Sequence, residues 1–281
     1  MMCRLLEVSR SGYYAWAAHP EPDDLWVPLK IEVKAAWERS GGRFGARMVQ
    51  ASLGFENTLY RIRKCMAELG ISGVVPRAKK RTTIADPDAP SRPDLIRRRF
   101  DAPVATCALV GDITYLKTGE GWLYLSAVID LNTRMAVGWA FSDSLATPLV
   151  IRSLDMAYAR DYIAANAVFH TDRGAQYTSH MLARWAQEHD VRLSVGRTGS
   201  CRDNAVAESF FASLKNEMYH HASFATRDEA KAAVIDYIEA DYNRMRPHSS
   251  IGYQIPAEVM EAFMRRCDAA FSETAEALAA A

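Results

Sequence analysis

Asp112 lies in the middle of a strand-like run, residues 108–117 (ALVGDITYLK), flanked by Val110, Ile113, Tyr115 and Leu116. A carboxylate there must be paired, protonated or bound to a cation, because burying an unpaired charge is costly. Asp172 follows a short apolar strand, 167–170, in the stretch HTDRGAQY, where Gly174 lets the backbone turn closely. Ligands of open α/β sheets bind at the carboxyl ends of strands. Glu208 stands one turn into an expected helix over 204–218. Phe211, Ala212 and Lys215 share its face, and Phe211, Leu214 and Met218 make an apolar stripe beside it. Each acid taken alone admits a plainer account: the exposed face of an edge strand, an ordinary Asp-Gly turn, an acid favoured near a helix N-terminus. Together they outline a hard-oxygen site, which without Cys or His pairs suits Mg²⁺ or Mn²⁺. Two such ions roughly 3.5–4 Å apart can clamp the attacking and leaving oxygens of an in-line phosphoryl displacement. Three carboxylates bring two dications and a phosphodiester near charge balance.

These side chains need a scaffold. Strands are expected over 108–117, 122–130, 134–141, 167–170 and 191–195, with Asn132 at a bend. Amphipathic helices are expected over 148–160, 179–189 and 204–218. That order describes an α/β fold, a mixed five-stranded sheet flanked by helices. In front of it, residues 25–69 are helical in pattern, with segments at 29–37, 44–53 and 57–69, a turn at Gly54 and a cap at Gly70. The last segment carries Arg61, Arg63 and Lys64, so this small helical region is helix-turn-helix-like and these three are candidate DNA contacts. Many helical hairpins share that pattern without touching DNA. Residues 75–99 have no apolar period, contain Pro76, Pro87, Pro90 and Pro93, and hold two basic clusters. Arg77, Lys79, Lys80 and Arg81 form one, Arg97, Arg98 and Arg99 the other; the stretch reads as a linker that tracks a phosphate backbone or is simply solvated. The expected division is a helical DNA-binding-like region over 1–74, a basic linker over 75–100, a catalytic core over 101–222 and a C-terminal helical extension over 223–281.

Formal net charge is zero, but residues 1–100 carry 18 Lys and Arg against 11 Asp and Glu, and residues 101–281 carry 16 against 23. A basic half joined to an acidic half points to a nucleic-acid-binding arm; a solvated helical face would give the same count. The five cysteines are far apart, which excludes a disulfide framework and a cysteine-rich zinc site. No apolar run approaches a membrane span, and Arg4, Glu7 and Arg10 interrupt any signal-peptide core, so a cytoplasmic protein is expected.

The motifs GDITYL around Asp112, HTDRGAQYTS around Asp172 and GSCRDNAVAESFFASLKNE around Glu208 resemble those of the second-reading-frame (OrfB-type) transposases of bacterial insertion sequences. SRSGYYAW at 9–16 and YNRMRPHSSIGYQIPAE at 242–258 extend the resemblance over nearly the whole chain, and 35 residues separate Asp172 from Glu208, as the family's Asp-Asp-Glu pattern requires. The resemblance implies an RNase H-like, retroviral-integrase-type core, two Mg²⁺ (or Mn²⁺) ions, and strand cleavage and transfer at element ends. It implies that Asp112, Asp172 and Glu208 are the catalytic, metal-binding triad and that Lys215 contacts DNA near the scissile phosphate. Arg173, Asn204 and Ser209 match motif positions as supporting residues, and His248 is either a DNA contact or a loop cap. The implied partners are element-end and target DNA, further copies of the chain on DNA, and the product of an upstream reading frame, fused or associated. The chain alone is then expected to recognise its ends poorly, and to be nucleoid-associated. Three positions depart from the family: Leu109 stands where a tryptophan is usual, and Ser200 and Arg202 where Asn and Tyr are common. Other readings of the same carboxylates are a plain RNase H-like nuclease, an inactive DNA-binding remnant and a two-carboxylate glycosidase; the basic region, the intact triad and the motif order weigh against them.

Overall fold

A computed structural model describes residues 8–18, 24–74, 93–97, 100–196 and 204–279. Lys79, Lys80 and Arg81, most of the linker, and Ser200 and Arg202 lie outside the described residues. The N-terminal helices are α1 (Arg10–Ala18), α2 (Val27–Arg39), α3 (Ala46–Ser52) and α4 (Leu59–Glu68). Residues 25–69 fold into helices α2–α4 within two or three residues of the expected segments, whereas α1 has no counterpart among them. Val33, Ala36, Phe44, Val49, Ile62, Cys65 and Met66 close a small core between them. Thr58 caps α4, its hydroxyl accepting from the Arg61 amide at 3.4 Å, and Gly70 ends that segment in the left-handed region at φ +65°.

The second unit is built on β1 (Ala108–Thr118), β2 (Gly121–Asp130), β3 (Ala136–Ser142), β4 (Val168–Thr171) and β5 (Arg192–Val195). Their order in the sheet is β3-β2-β1-β4-β5. The first three form an antiparallel meander, and β4 and β5 join in parallel. Parallel pairing needs crossovers, which helices α5 (Thr147–Tyr158), α6 (Ala175–Thr178) and α7 (His180–Glu188) supply. Helix α5, through Val150, Leu154 and Ala157, and α7, through Leu182, Trp185 and Ala186, cover one face of the sheet. The other face is covered by α8 (Ala205–Glu217) through Ala207, Phe210, Phe211 and Leu214, and by α9 (Arg227–Asp236) through Ala230 and Val234. A π-helical turn, Tyr237–Tyr242, follows α9, and the last helix is α10 (Pro256–Ala279). This is the mixed, helix-flanked, five-stranded sheet that the residues suggested.

Sheet and helix approach most closely at Gly138 in β3, where a Cβ would stand 2.1 Å from the Ser153 carbonyl oxygen of α5 and 3.0 Å from the Ala157 methyl. The Ser153 oxygen belongs to backbone and cannot rotate away. Gly138→Ala is expected to cost roughly 1–3 kcal/mol of stability, the usual range for overpacking. Urea unfolding of the two proteins measures it, and a midpoint equal to the parent's would show that β3 and α5 part freely.

Candidate active site

Asp112 sits at the centre of β1, paired across to Ala127 of β2, on the face that α8 covers. Beside it Gly111 is required by space rather than by φ: a Cβ there would fall 2.4 Å from the Phe169 ring of β4. Asp172 is the first residue past β4, where the parallel pair β4–β5 ends. Gly174 has an ordinary negative φ of −58°; what demands glycine is closeness, since a Cβ would stand 3.1 Å from the Asp172 carboxylate and 2.9 Å from the Gln176 side chain. Glu208 lies in the first turn of α8, and Lys215 lies in its last.

The sheet holds a second buried aspartate, and the contrast is informative. Asp130, at the end of β2, is fully buried but accepts from the amides of Thr106 (2.8 Å), Asn132 (3.0 Å) and Thr133 (2.7 Å) and from the Thr133 hydroxyl (2.9 Å). It holds the β2–β3 turn, with three of these bonds on Oδ1 and one on Oδ2. Asp112 accepts, among the described residues, one hydrogen bond, from the Ile113 amide at 2.8 Å. Although its side chain keeps a part-exposed edge, burial pushes its carboxyl up, and repulsion from Asp172 and then Glu208 pushes it further, to about 7; Lys215 pulls the other way. Burial also raises Asp172, against a 2.9 Å hydrogen bond from the Gly174 amide. Lys215 is itself lowered by burial and raised by Asp112. The fold therefore brings all four residues into one electrostatic environment. Among the described residues, no three His, Cys, Asp or Glu side chains gather tightly enough to enclose an ion. The donor chemistry nonetheless fits a hard divalent cation: every donor is a carboxylate oxygen, and Asp112 is destabilised by burial and like charge, which a cation relieves.

Several residues around the site lie within the quoted motifs, but their roles are visible only in the structure. Tyr177 is buried beside the carboxylates, and its hydroxyl is raised by burial and then by Asp112 and Asp172. Arg246, inside the YNRMRPH stretch, grips Glu217 at the end of α8 with three bonds of 2.8–3.1 Å, and the Tyr237 hydroxyl donates to the same carboxylate at 2.8 Å. The helical pattern of α8 does not announce that pair, because its partner lies 29 residues on. Asn243 joins both the amide and the carbonyl of Ala136, each at 3.0 Å. His248 acts as a cap: its Nδ1 accepts from the Ser250 amide at 3.4 Å, and burial, then Arg246 and Arg134, hold it down at about 4. Arg173 donates from Nε to the Gly196 carbonyl at 2.9 Å, tying the ends of β4 and β5. Asn204 donates from Nδ2 to the Gly111 carbonyl at 3.0 Å, and Ser209 is exposed. Leu109, in place of the usual tryptophan, is fully buried in the opposite core. Arg61, Arg63 and Lys64 lie on α4, apart from this cluster; Arg61 and Arg63 are exposed, while Lys64 stands 4.5 Å from the Trp26 ring centroid and 3.9 Å from Glu68.

Residues 107–201 match the family described as "Integrase core domain", and residues 189–256 match a second family of the same description. The transposase InsF of insertion sequence IS3A from Escherichia coli (strain K12) is 36% identical over 264 residues, 92% of this chain and 92% of its own. The chain belongs to the insertion-sequence transposases. This transposase is also 35% identical over 268 residues to the uncharacterized 31 kDa protein of insertion element IS600 from Shigella sonnei, 93% of one chain and 98% of the other. Among solved structures it resembles the simian T-cell lymphotropic virus intasome in complex with the PP2A regulatory subunit B56 gamma (TM-score 0.46, 15% identity, covering 76% of this chain and 69% of that one). It also resembles the dimeric HTLV-2 integrase catalytic core in complex with magnesium (TM-score 0.43, 13% identity, 55% and 95%). The transposase is thus a DNA-acting enzyme, a DDE-type polynucleotidyl transferase. No helix among the described residues is long and apolar enough to cross a membrane.

Asp112 keeps its proton in the folded chain up to about 7, against an ordinary value of 3.8. The folded state then binds more protons than the unfolded one across that window, so this group's contribution to stability falls as pH rises through it. Thermal unfolding of metal-free protein between about pH 5 and pH 7 is expected to decline less steeply for Asp112→Asn than for the parent. Parallel curves would show that Asp112 titrates normally.

Proposed function

We propose that this transposase cleaves DNA strands at the ends of its insertion sequence and joins the 3′-OH to target DNA, with Asp112, Asp172 and Glu208 as the catalytic triad. The observation that carries the reading is the buried, under-bonded Asp112 carboxyl, raised by both other acids of the motif set. The three carboxylates would hold two Mg²⁺ or Mn²⁺ ions, which when bound activate the attacking oxygen and stabilise the leaving one. The chain's own contribution is placement. Strand β1 and the end of β4 present Asp112 and Asp172 from adjacent parallel strands, and α8 lays Glu208 across them. Lys215, on the same face as Glu208 and within electrostatic reach of Asp112, would bind the phosphate next to the scissile bond.

DNA outside the site would be held by Arg61 and Arg63 on the exposed face of α4, with Lys64 and the linker residues Lys79, Lys80 and Arg81 adding charge. Lys64 is the least available of these, given its contacts with Trp26 and Glu68. Further copies of the chain assemble on the DNA, and an upstream-frame product, fused or associated, adds end specificity; the protein works in the cytoplasm at the nucleoid.

A strand-transfer assay on labelled element ends, with Mg²⁺ or with EDTA, tests the reading. Asp112→Asn, Asp172→Asn and Glu208→Gln are each expected to abolish cleavage and joining while DNA affinity stays within a few-fold, because phosphate contacts supply most of it. Robust joining by any one of them would remove that residue from the triad. Arg61→Ala with Arg63→Ala is expected to flatten the slope of log affinity against log salt by about 0.9 for every phosphate no longer neutralised. A slope equal to the parent's would make the exposed face of α4 a solvated one.

A further inference from the structure

Helix α8 carries Glu208 but β1 carries Asp112, and one side chain spans the two. Asn204, at the N-cap position of α8, is buried, 7% exposed. Its Nδ2 donates to the Gly111 carbonyl at 3.0 Å, the peptide immediately before Asp112. Its own carbonyl accepts from the Glu208 amide at 3.1 Å. The residue before one carboxylate and the backbone of another are therefore joined through a single amino acid. The bond is not the usual helix cap, because the Asn204 side chain accepts nothing from the first turn of α8. Its Oδ1 is buried and, among the described residues, has no hydrogen-bond partner.

We propose that Asn204 is a positioning residue for strand transfer: its bond to Gly111 fixes the distance between the Glu208 helix and the Asp112 strand. The idea rests on the reading of Asp112 and Glu208 as catalytic carboxylates. It follows from three constraints. Side chains at a reacting centre must be held to within about 0.5 Å by packing and by hydrogen bonds behind them. Acids that repel one another tend to separate unless backbone holds them. And the apolar contacts of α8, through Ala207, Phe210, Phe211 and Leu214, seat the helix on the sheet without any directional bond to the strand that bears Asp112. The bond at the helix start supplies one, at the end of α8 that carries Glu208.

Asn204→Asp keeps the size of the side chain but turns an acceptor against the Gly111 carbonyl. In the full chain it is expected to lower the kcat of strand transfer on the order of 100-fold, the loss typical of a misplacement of about 1 Å. DNA affinity stays within about twofold, since phosphate contacts set it. Without any metal or DNA, hydrogen exchange at the Glu208 amide, which bonds the Asn204 carbonyl, and at the amides of the following turn rises while the amides of β2 and β3 keep their protection. A folded Asn204→Asp with parental kcat, or a loss confined to DNA affinity, overturns the proposal. If that variant does not fold, Asn204→Ala removes the donor without adding charge, and parental kcat there overturns it equally. Asp112→Asn runs alongside. An active Asp112→Asn refutes the triad, whereas an inactive Asp112→Asn beside a fully active Asn204→Asp refutes the role of Asn204 alone.

Discussion

Asp112 feels the like charge of Asp172 and then of Glu208, and regular elements of the fold hold the three acids against that repulsion. Asp112 bears the cost most plainly, with a proton affinity lifted by burial and then by its two acidic neighbours. Loops would yield to such a force. Here the first acid is mid-strand in the central strand of the sheet, the second directly follows the adjacent parallel strand, and the third is on a helix packed over β1 and β2. Strand β1 is paired with β2 along its whole length and with β4 up to Val110, so the backbone is held on both sides just before Asp112 and on the β2 side at Asp112 itself.

Helix α8 is the one element of the three that a sheet ladder does not restrain, and it is fastened at both ends by polar contacts. At its start Asn204 reaches Gly111, and at its finish Glu217 is gripped by Arg246 and Tyr237. The Glu217–Arg246 pair is mostly buried, and a buried pair repays its desolvation only when its geometry is good and its remaining atoms are bonded. Both conditions hold: the contact is bidentate, and the tyrosine hydroxyl fills a further acceptor site. The YNRMRPH segment is accordingly a clasp. Tyr242 is in the core, Asn243 on the sheet edge, Arg246 on the helix end and His248 on its own loop. Residues on either side of that segment meet the N-terminal unit, through the ion pair of Arg43 with Asp241 and the edge-on contact of Phe55 with Tyr253 at 5.7 Å.

What is legible in the residues alone is whatever is periodic or local. Every strand of the sheet unit, and helices α5, α7 and α8, lie within about two residues of their expected spans, because alternation and the 3.6-residue repeat are written into neighbouring side chains, whereas α6 and α9 have no expected span of their own. Asp112 stands out as an acid in the middle of a strand-like run, and Asp172 and Glu208 stand out through the motifs that carry the family resemblance. Asp130 does not, although it is the most thoroughly buried of all, since its role depends on a turn whose geometry the residues LNTRM do not announce. Helix α1 escapes notice because its sequence, RSGYYAWAA, opens on Ser and Gly, which weaken a helical pattern. At Gly174 the need for glycine is visible but its reason is not: crowding by Asp172, and not backbone freedom, excludes a side chain. Long-range pairs such as Asn243 with Ala136, 107 residues apart, leave no local trace.

That last pair alters the outline of the sheet. Strand β3 is an edge, and an edge offers open amides and carbonyls to any passing strand. At Ala136 both groups are already taken, by the amide side chain of Asn243 acting as a one-residue substitute for a sixth strand. A stray β-segment approaching from that side meets a stopper where it would need its first two bonds, so the terminus of the edge resists being zipped into a larger sheet or a fibril.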